Sequence, residues 1–183
     1  TDNGVNWANS LTNNIASSSG PKTFVAWLQP TGAVVPVLIT AEAVYWLDLT
    51  NNVANDLLPG LLSSSPNNGR WNKVGADGAL YVSHADGRVS RVSWAPGKVD
   101  RGYFDIQELG PNRDEGLPAA RQGRVNYMVS SPQWLFVAYG GHAASRNASI
   151  FAYDYKTEGW HHMYQHGTAN LDIEGATGGV TIH

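Results

Sequence analysis

Cysteine is absent from this 183-residue chain. That excludes disulfides, thiolate catalysis and cysteine-ligated zinc together. It leaves the compartment open, since extracellular and virion proteins can also lack cysteine. Charge is sparse: charged residues make up 15% of the chain, and the net charge of −3 offers no attraction for nucleic acid or an anionic membrane. No apolar run approaches the roughly 18–20 residues that cross a bilayer. The most apolar stretch, Val34 to Ile39, is interrupted by Pro36. The opening residues Thr1-Asp2-Asn3-Gly4 carry no positive segment of a signal peptide. Position 1 is not Met, which predicts processing or a place within a longer polypeptide. Phosphate-cradling glycine loops and Gly-x-Ser-x-Gly nucleophile turns are missing too. No cofactor, nucleic-acid partner or membrane insertion is expected.

What the chain does have is turns and aromatic rings. Twenty Gly and nine Pro punctuate it, and seven Trp with eight Tyr are generous for this length. A turn-rich, aromatic-rich, weakly charged composition predicts an all-β fold. With 42% hydrophobic residues the chain is long enough for one domain with a sizeable core.

The organising feature is a repeat. Short polar-aromatic strands begin units at Val5-Asn6-Trp7, Trp71-Asn72-Lys73-Val74, Val125-Asn126-Tyr127-Met128 and Val180-Thr181-Ile182, spaced by 66, 54 and 55 residues. A period in the fifties with several short strands per unit predicts a β-propeller. Residues 1–183 are then a single segment with about three full four-stranded blades and partial strands at both ends. The first unit reads as Thr23–Leu28, a Pro30-Thr31-Gly32 turn, Val34–Ile39 and Val44–Leu49. The second reads as Ala79–His84, an Asp86-Gly87 turn and Arg88–Trp94. The third reads as Trp134–Tyr139, a Gly140-Gly141 break and Ser149–Tyr155. Segments apolar on both faces, such as Leu135 to Tyr139, suit blades packed between two neighbours. Val44–Asn52 matches Ile150–Glu158 without a gap at an offset of 106. The stop at His183, inside an opening strand, favours a segment of a larger propeller over a closed four-bladed ring.

The third unit resembles a kelch repeat: Gly140-Gly141 ends an apolar strand, and Tyr153 is followed seven positions later by Trp160. The resemblance covers about a quarter of the chain and implies kelch-like blade geometry. The other units have Leu28-Gln29 and Ala85-Asp86 at the glycine positions. At the Tyr and Trp positions they have Leu47 with Ala54 and Val92 with Val99. The Asn, Ser, Gly and aromatic usage without cysteine is also similar in texture to tail and fibre proteins of tailed phages.

Alignment of the units brings Trp27, His84 and Tyr139 to one position. In a propeller these rings would line one mouth, where they suit a glycan or peptide. They are the candidate binding residues; no catalytic residue and no metal ligand is assigned. His161, His162 and His166 form a cluster without a carboxylate, which favours an exposed outer strand over a metal site. Asp105, Glu108, Asp114 and Glu115, with Arg113, Arg121 and Arg124, read as a surface loop between blades. Asn147-Ala148-Ser149 is a formal glycosylation acceptor. Ser83-His84-Ala85-Asp86-Gly87 lacks the aromatic spacing of a sialidase Asp-box.

The sequence therefore predicts a non-enzymatic structural or recognition module of a larger extracellular or virion assembly, such as a phage tail. Its partners would be other protein subunits. A carbohydrate-binding or carbohydrate-cleaving propeller is the alternative, with a surface glycan as partner. A kelch-type interaction adaptor is the third. The loop from Asn112 to Gly123 is a candidate contact region should the rings be buried.

Overall fold

A computed structural model of the chain describes residues 21–51, 53–59, 61–62, 72–95, 104–109, 125–140 and 147–169. Twelve strands form three antiparallel four-stranded sheets, each running from inner to outer strand in chain order. The first sheet contains β1 (Pro21–Leu28), β2 (Val34–Thr40), β3 (Val44–Asp48) and β4 (Val53–Asp56). The second contains β5 (Asn72–Val74), β6 (Leu80–Ser83), β7 (Val89–Trp94) and β8 (Phe104–Glu108). The third contains β9 (Val125–Ser130), β10 (Trp134–Tyr139), β11 (Asn147–Asp154) and β12 (Gly159–Ala169). The inner strands β1, β5 and β9 neighbour one another from sheet to sheet.

Three hairpin turns are built alike. In Gln29–Ala33, Gly75–Ala79 and His84–Arg88 the first N–H bonds to the fifth carbonyl, and the fourth N–H bonds to the first carbonyl. The fourth residue is Gly32, Gly78 or Gly87, at φ of 86°, 81° and 91°. This is a type I turn closed by a left-handed residue, where glycine pays no Cβ penalty. The first of these turns joins β1 to β2, whereas the one at Asp86-Gly87 joins β6 to β7. Their local chemistry is the same, so sequence alone cannot say which strand pair each one links. The first unit is consequently shifted by one strand from the expectation. Its inner strand begins at Pro21, not at Val5, and the sheets start at 21, 72 and 125, intervals of 51 and 53 residues. Val5-Asn6-Trp7, Val180-Thr181-Ile182 and the Asn112–Gly123 loop lie outside the described residues.

The offset of 106 is a structural equivalence. Asp48 Oδ1 accepts the N–H groups of Thr50 and Asn51, and Asp154 Oδ1 accepts those of Lys156 and Thr157. These carboxylates close the β3–β4 and β11–β12 turns by the same Asx geometry. Leu47 pairs with Ala54 just as Tyr153 pairs with Trp160. In the second sheet Val92 pairs with Ile106, not Val99. Asp105 and Glu108 lie in β8, not in a loop, paired with Ser93 and Ser90 of β7, while Phe104 and Ile106 pair with Trp94 and Val92. The remaining members of that acidic and basic stretch fall outside the described residues.

Two apolar layers hold the sheets together. Trp27, Val35, Val37 and Ile39 of the first sheet meet Leu80, Val82 and Val92 of the second. On the other side of the second sheet, Tyr81 and Val89 meet Leu135, Val137, Phe151 and Tyr153 of the third. Strand β6 is therefore buried on both faces. Gly75 sits in a crowded corner of the second sheet, against the Tyr155 hydroxyl of the third. A Cβ there would fall 2.5 Å from Asp77 Oδ1, 2.7 Å from the Tyr81 ring and 3.1 Å from the Tyr155 hydroxyl.

Leu135→Ala is expected to destabilise the protein by about 2–5 kcal/mol in urea unfolding, since it opens a cavity in the layer between sheets. Gly75→Ala is expected to lower the unfolding midpoint as well. Gly159→Ala is expected to be tolerated, because the nearest atom to its added Cβ is 3.7 Å away. Equal behaviour of the two glycine variants would refute this account of the contact.

Candidate functional site

Trp27, His84 and Tyr139 do not line a mouth. Their exposures are 0%, 3% and 0%. They also sit at different ends of the sheets. The Trp27 indole donates to the Gly78 carbonyl at 2.8 Å, in the β5–β6 turn, whereas His84 opens the β6–β7 turn at the opposite end of β6. Strand alternation explains the burial: Trp27, on the same face of β1 as Val25, points into the layer against the second sheet. There it stacks on Trp94 at 4.6 Å between centroids and on Phe104 at 5.6 Å. Trp94 in turn donates from its indole to the Leu28 carbonyl at 3.0 Å.

His84 anchors a polar chain. Its Nε2 lies 2.6 Å from Ser90 Oγ, and that hydroxyl donates to Glu108 Oε1 at 2.8 Å. Arg88 spans Glu108 Oε2 at 3.2 Å and Asp86 Oδ2 at 2.7 Å. With the hydroxyl proton directed at Glu108, Ser90 accepts from His84, so Nε2 carries the imidazole proton. Burial pushes the His84 pKa below its ordinary value, against the opposing pull of the Glu108 carboxylate. Tyr139 is buried in the third sheet, and its hydroxyl finds no hydrogen-bond partner among the described residues. Burial, with the Asp86 carboxylate adding to it, raises the Tyr139 pKa well above the usual phenol range.

This arrangement orders side chains and does not activate a nucleophile. In a hydrolytic triad the histidine receives the serine proton and a carboxylate orients the histidine. Here serine is the middle member, giving its proton to the carboxylate, and both Ser90 and His84 are shut from solvent. A second polar knot closes the other interface. Asp77 Oδ2 accepts from the Tyr81 hydroxyl at 2.8 Å and from Arg91 Nε at 3.0 Å. Ser130 Oγ, from the third sheet, accepts the Ala76 N–H at 2.9 Å and contacts the Tyr155 hydroxyl at 2.8 Å. The histidines of the outer strand behave as its position implies: His161 and His162 are exposed, His161 edge-on to Trp134 and His162 tilted over Phe151. The side chain of His166 lies outside what is described.

Among the described residues, grooves open at the surface of the first blade. One, of about 420 Å³, lies between the outer strands of the first and second sheets and is lined by Trp46, Asn55, Asp56, Leu57, Phe104 and Ile106. The other, of about 470 Å³, lies at one end of the first sheet, with Gln29, Pro36, Trp46, Asp48 and Asn51 in its wall. Trp46 borders both, though in sequence, aligned with Ala152, it reads as a residue that packs between adjacent sheets. The available signal was its place in a β-strand whose match at offset 106 is the small residue Ala152.

No protein-family model and no curated protein matches the chain. Among solved structures, one described as "Structure of Dos1 propeller" is similar over 84% of this chain, with a TM-score of 0.54 and 12% identity. The fold is that of a β-propeller segment. Each four-stranded sheet is a blade, and the chain spans 37% of the length of that propeller chain.

The His84 setting has a pH consequence. The unfolded imidazole takes up a proton near its ordinary pKa of about 6.5, while the folded one resists it. The unfolded state then binds more protons as pH drops below that value, so folding stability declines with acidification. Thermal melting is expected at lower temperature at pH 5 than at pH 7.5, with a smaller drop in His84→Gln. An undiminished drop in that variant would remove His84 as the cause.

Proposed function

We propose that this chain is a non-enzymatic structural or recognition module, a propeller segment that serves within a larger extracellular or virion assembly such as a phage tail. The observation that carries the reading is where the reactive groups are spent. His84, Ser90 and Glu108 bond to one another at a blade face, and Asp77, Arg91 and Tyr81 bond to one another at the next. Large apolar side chains, by contrast, stand open on the first blade: Phe24 is 61% exposed, Leu28 56% and Val34 60%. Contiguous apolar surface of this kind marks contact with another macromolecule. Protein subunits are the partners this favours.

One observation supports a second reading, carbohydrate binding. The groove between the first two blades sets Trp46, Phe104 and Ile106 beside the polar ends of Asn55 and Asp56. Flat apolar surface with a few short hydrogen-bonding groups is the chemistry that holds a sugar ring. A kelch-type adaptor draws its support from the third blade alone, where Tyr153 and Trp160 stand 5.3 Å apart. The other two blades put Leu47 with Ala54 and Val92 with Ile106 there.

The purified chain is expected to hydrolyse neither glycosides nor esters. Turnover that Glu108→Gln or Asp56→Asn abolishes would overturn the non-enzymatic reading. On a glycan array, binding that Trp46→Ala removes would put the carbohydrate reading first.

A further inference from the structure

The groove between the outer strands of the first and second blades is apolar along most of its wall and carries one charge. Trp46, Leu57, Leu58, Pro59, Phe104 and Ile106 make the apolar part, while Asn55 and Asp56 stand exposed at its rim. The aromatic wall is fixed before any ligand arrives. Phe104 stacks on Trp27 at 5.6 Å between centroids and lies tilted against Trp94 at 4.9 Å. Trp46 packs against the same apolar layer and pairs across the sheet with Asn55. Leu57 and Leu58 are buried in the lining, and the Leu57 N–H donates to the Val44 carbonyl at 2.7 Å. A ligand therefore meets rings already in place, which spares it the cost of ordering them.

The charge at the rim decides what the groove suits. Other carboxylates of these blades are committed: Asp48 closes a turn, Asp77 holds Arg91, and Asp86 and Glu108 hold Arg88. The Asp56 side chain has no hydrogen-bond or ion-pair partner among the described residues, and none of the residues lining the groove is basic. An unneutralised carboxylate thus stands beside two aromatic rings. Both attract a cation, the carboxylate by its charge and the rings by their quadrupole. A neutral sugar would use the rings and leave the charge idle, and an anionic one would be repelled.

We propose that this groove receives an arginine side chain of a protein partner. The proposal rests on the reading of the chain as a recognition module and deepens it by naming what the partner presents. An arginine has an apolar stem and a planar charged head, so the stem lies on the apolar wall while the head reaches the rim. The guanidinium plane stacks on an indole and offers paired N–H donors to a carboxylate, a geometry that a lysine ammonium does not match. The volume of about 420 Å³ lies within the range of small-ligand sites and holds such a side chain with its neighbouring main chain.

Heteronuclear NMR titration of the isotope-labelled chain tests it, read at the Trp46 indole and at the Asp56 and Ile106 amides. The probes are acetyl-Gly-Arg-Gly-amide, its citrulline counterpart, which keeps the shape and loses the charge, and maltose. The arginine peptide is expected to give saturable shifts at these positions at millimolar concentration. The citrulline peptide is expected to bind about tenfold more weakly, since it loses both the pairing with Asp56 and the attraction of the rings. Asp56→Asn is expected to weaken the arginine peptide about threefold, the scale of a solvent-exposed charge pair, and to leave the citrulline peptide unchanged. Lack of saturable shifts with the arginine peptide overturns the proposal, as does equal affinity of the two peptides for the wild type. An Asp56→Asn variant that binds the arginine peptide as tightly as the wild type overturns it as well. Tighter binding of maltose than of the arginine peptide overturns it in favour of the carbohydrate reading. None of these failures touches the non-enzymatic reading, which the assays of hydrolysis decide.

Discussion

The central strand β6 of the second blade has water on neither face, and the rest of the structure follows from that. Strand β6 buries Leu80 and Val82 towards the first blade and Tyr81 towards the third. A strand in this position cannot alternate apolar with polar residues, and Leu80-Tyr81-Val82-Ser83 does not. Both neighbours must then supply apolar cover of the right depth. The first does so with Trp27 and β2, the third with Leu135, Val137 and a tyrosine cluster. Where polar groups fall in these layers, each must meet a partner or lose the hydration it had in water. The His84–Ser90–Glu108 chain and the Asp77–Arg91–Tyr81 knot are the outcome, one on each side of the same blade.

Much of the architecture was legible in the sequence. The all-β class, the blade period and the match of Val44–Asn52 with Ile150–Glu158 all rest on local chemistry that the folded chain keeps, down to the shared Asx turns at Asp48 and Asp154. What failed was the phase of the first unit. A turn closed by a left-handed glycine reports its own geometry and nothing of which strands it joins. Taking Gln29–Ala33 and His84–Arg88 for the same turn placed Trp27 one strand away from its true equivalents. That single slip produced the supposed ring of Trp27, His84 and Tyr139.

The candidate site was misjudged for a second reason. Aromatic residues with polar tips serve equally at a wet mouth and in a dry interface, provided the tip finds a partner. Trp27 finds the Gly78 carbonyl and His84 finds Ser90, so both are satisfied without solvent. Which outcome holds depends on the neighbouring blade, and no local pattern encodes it. Trp46, which borders two grooves, reads in sequence as a residue packed between sheets, because its own strand looks no different from a core strand.

Among the described residues, indole donors pass from blade to blade at Trp27 to Gly78, Trp94 to Leu28 and Trp160 to Leu109. In these three the acceptor is a main-chain carbonyl. A carbonyl belongs to any residue, so the receiving blade must hold its backbone in place but is free in its choice of side chain. Two blades joined this way can drift apart in sequence without loosening their grip, as long as the donor tryptophan and the course of the opposing chain survive. A propeller fastened through its main chain can keep its shape while little of its spelling persists, which fits a likeness to another propeller at only 12% identity.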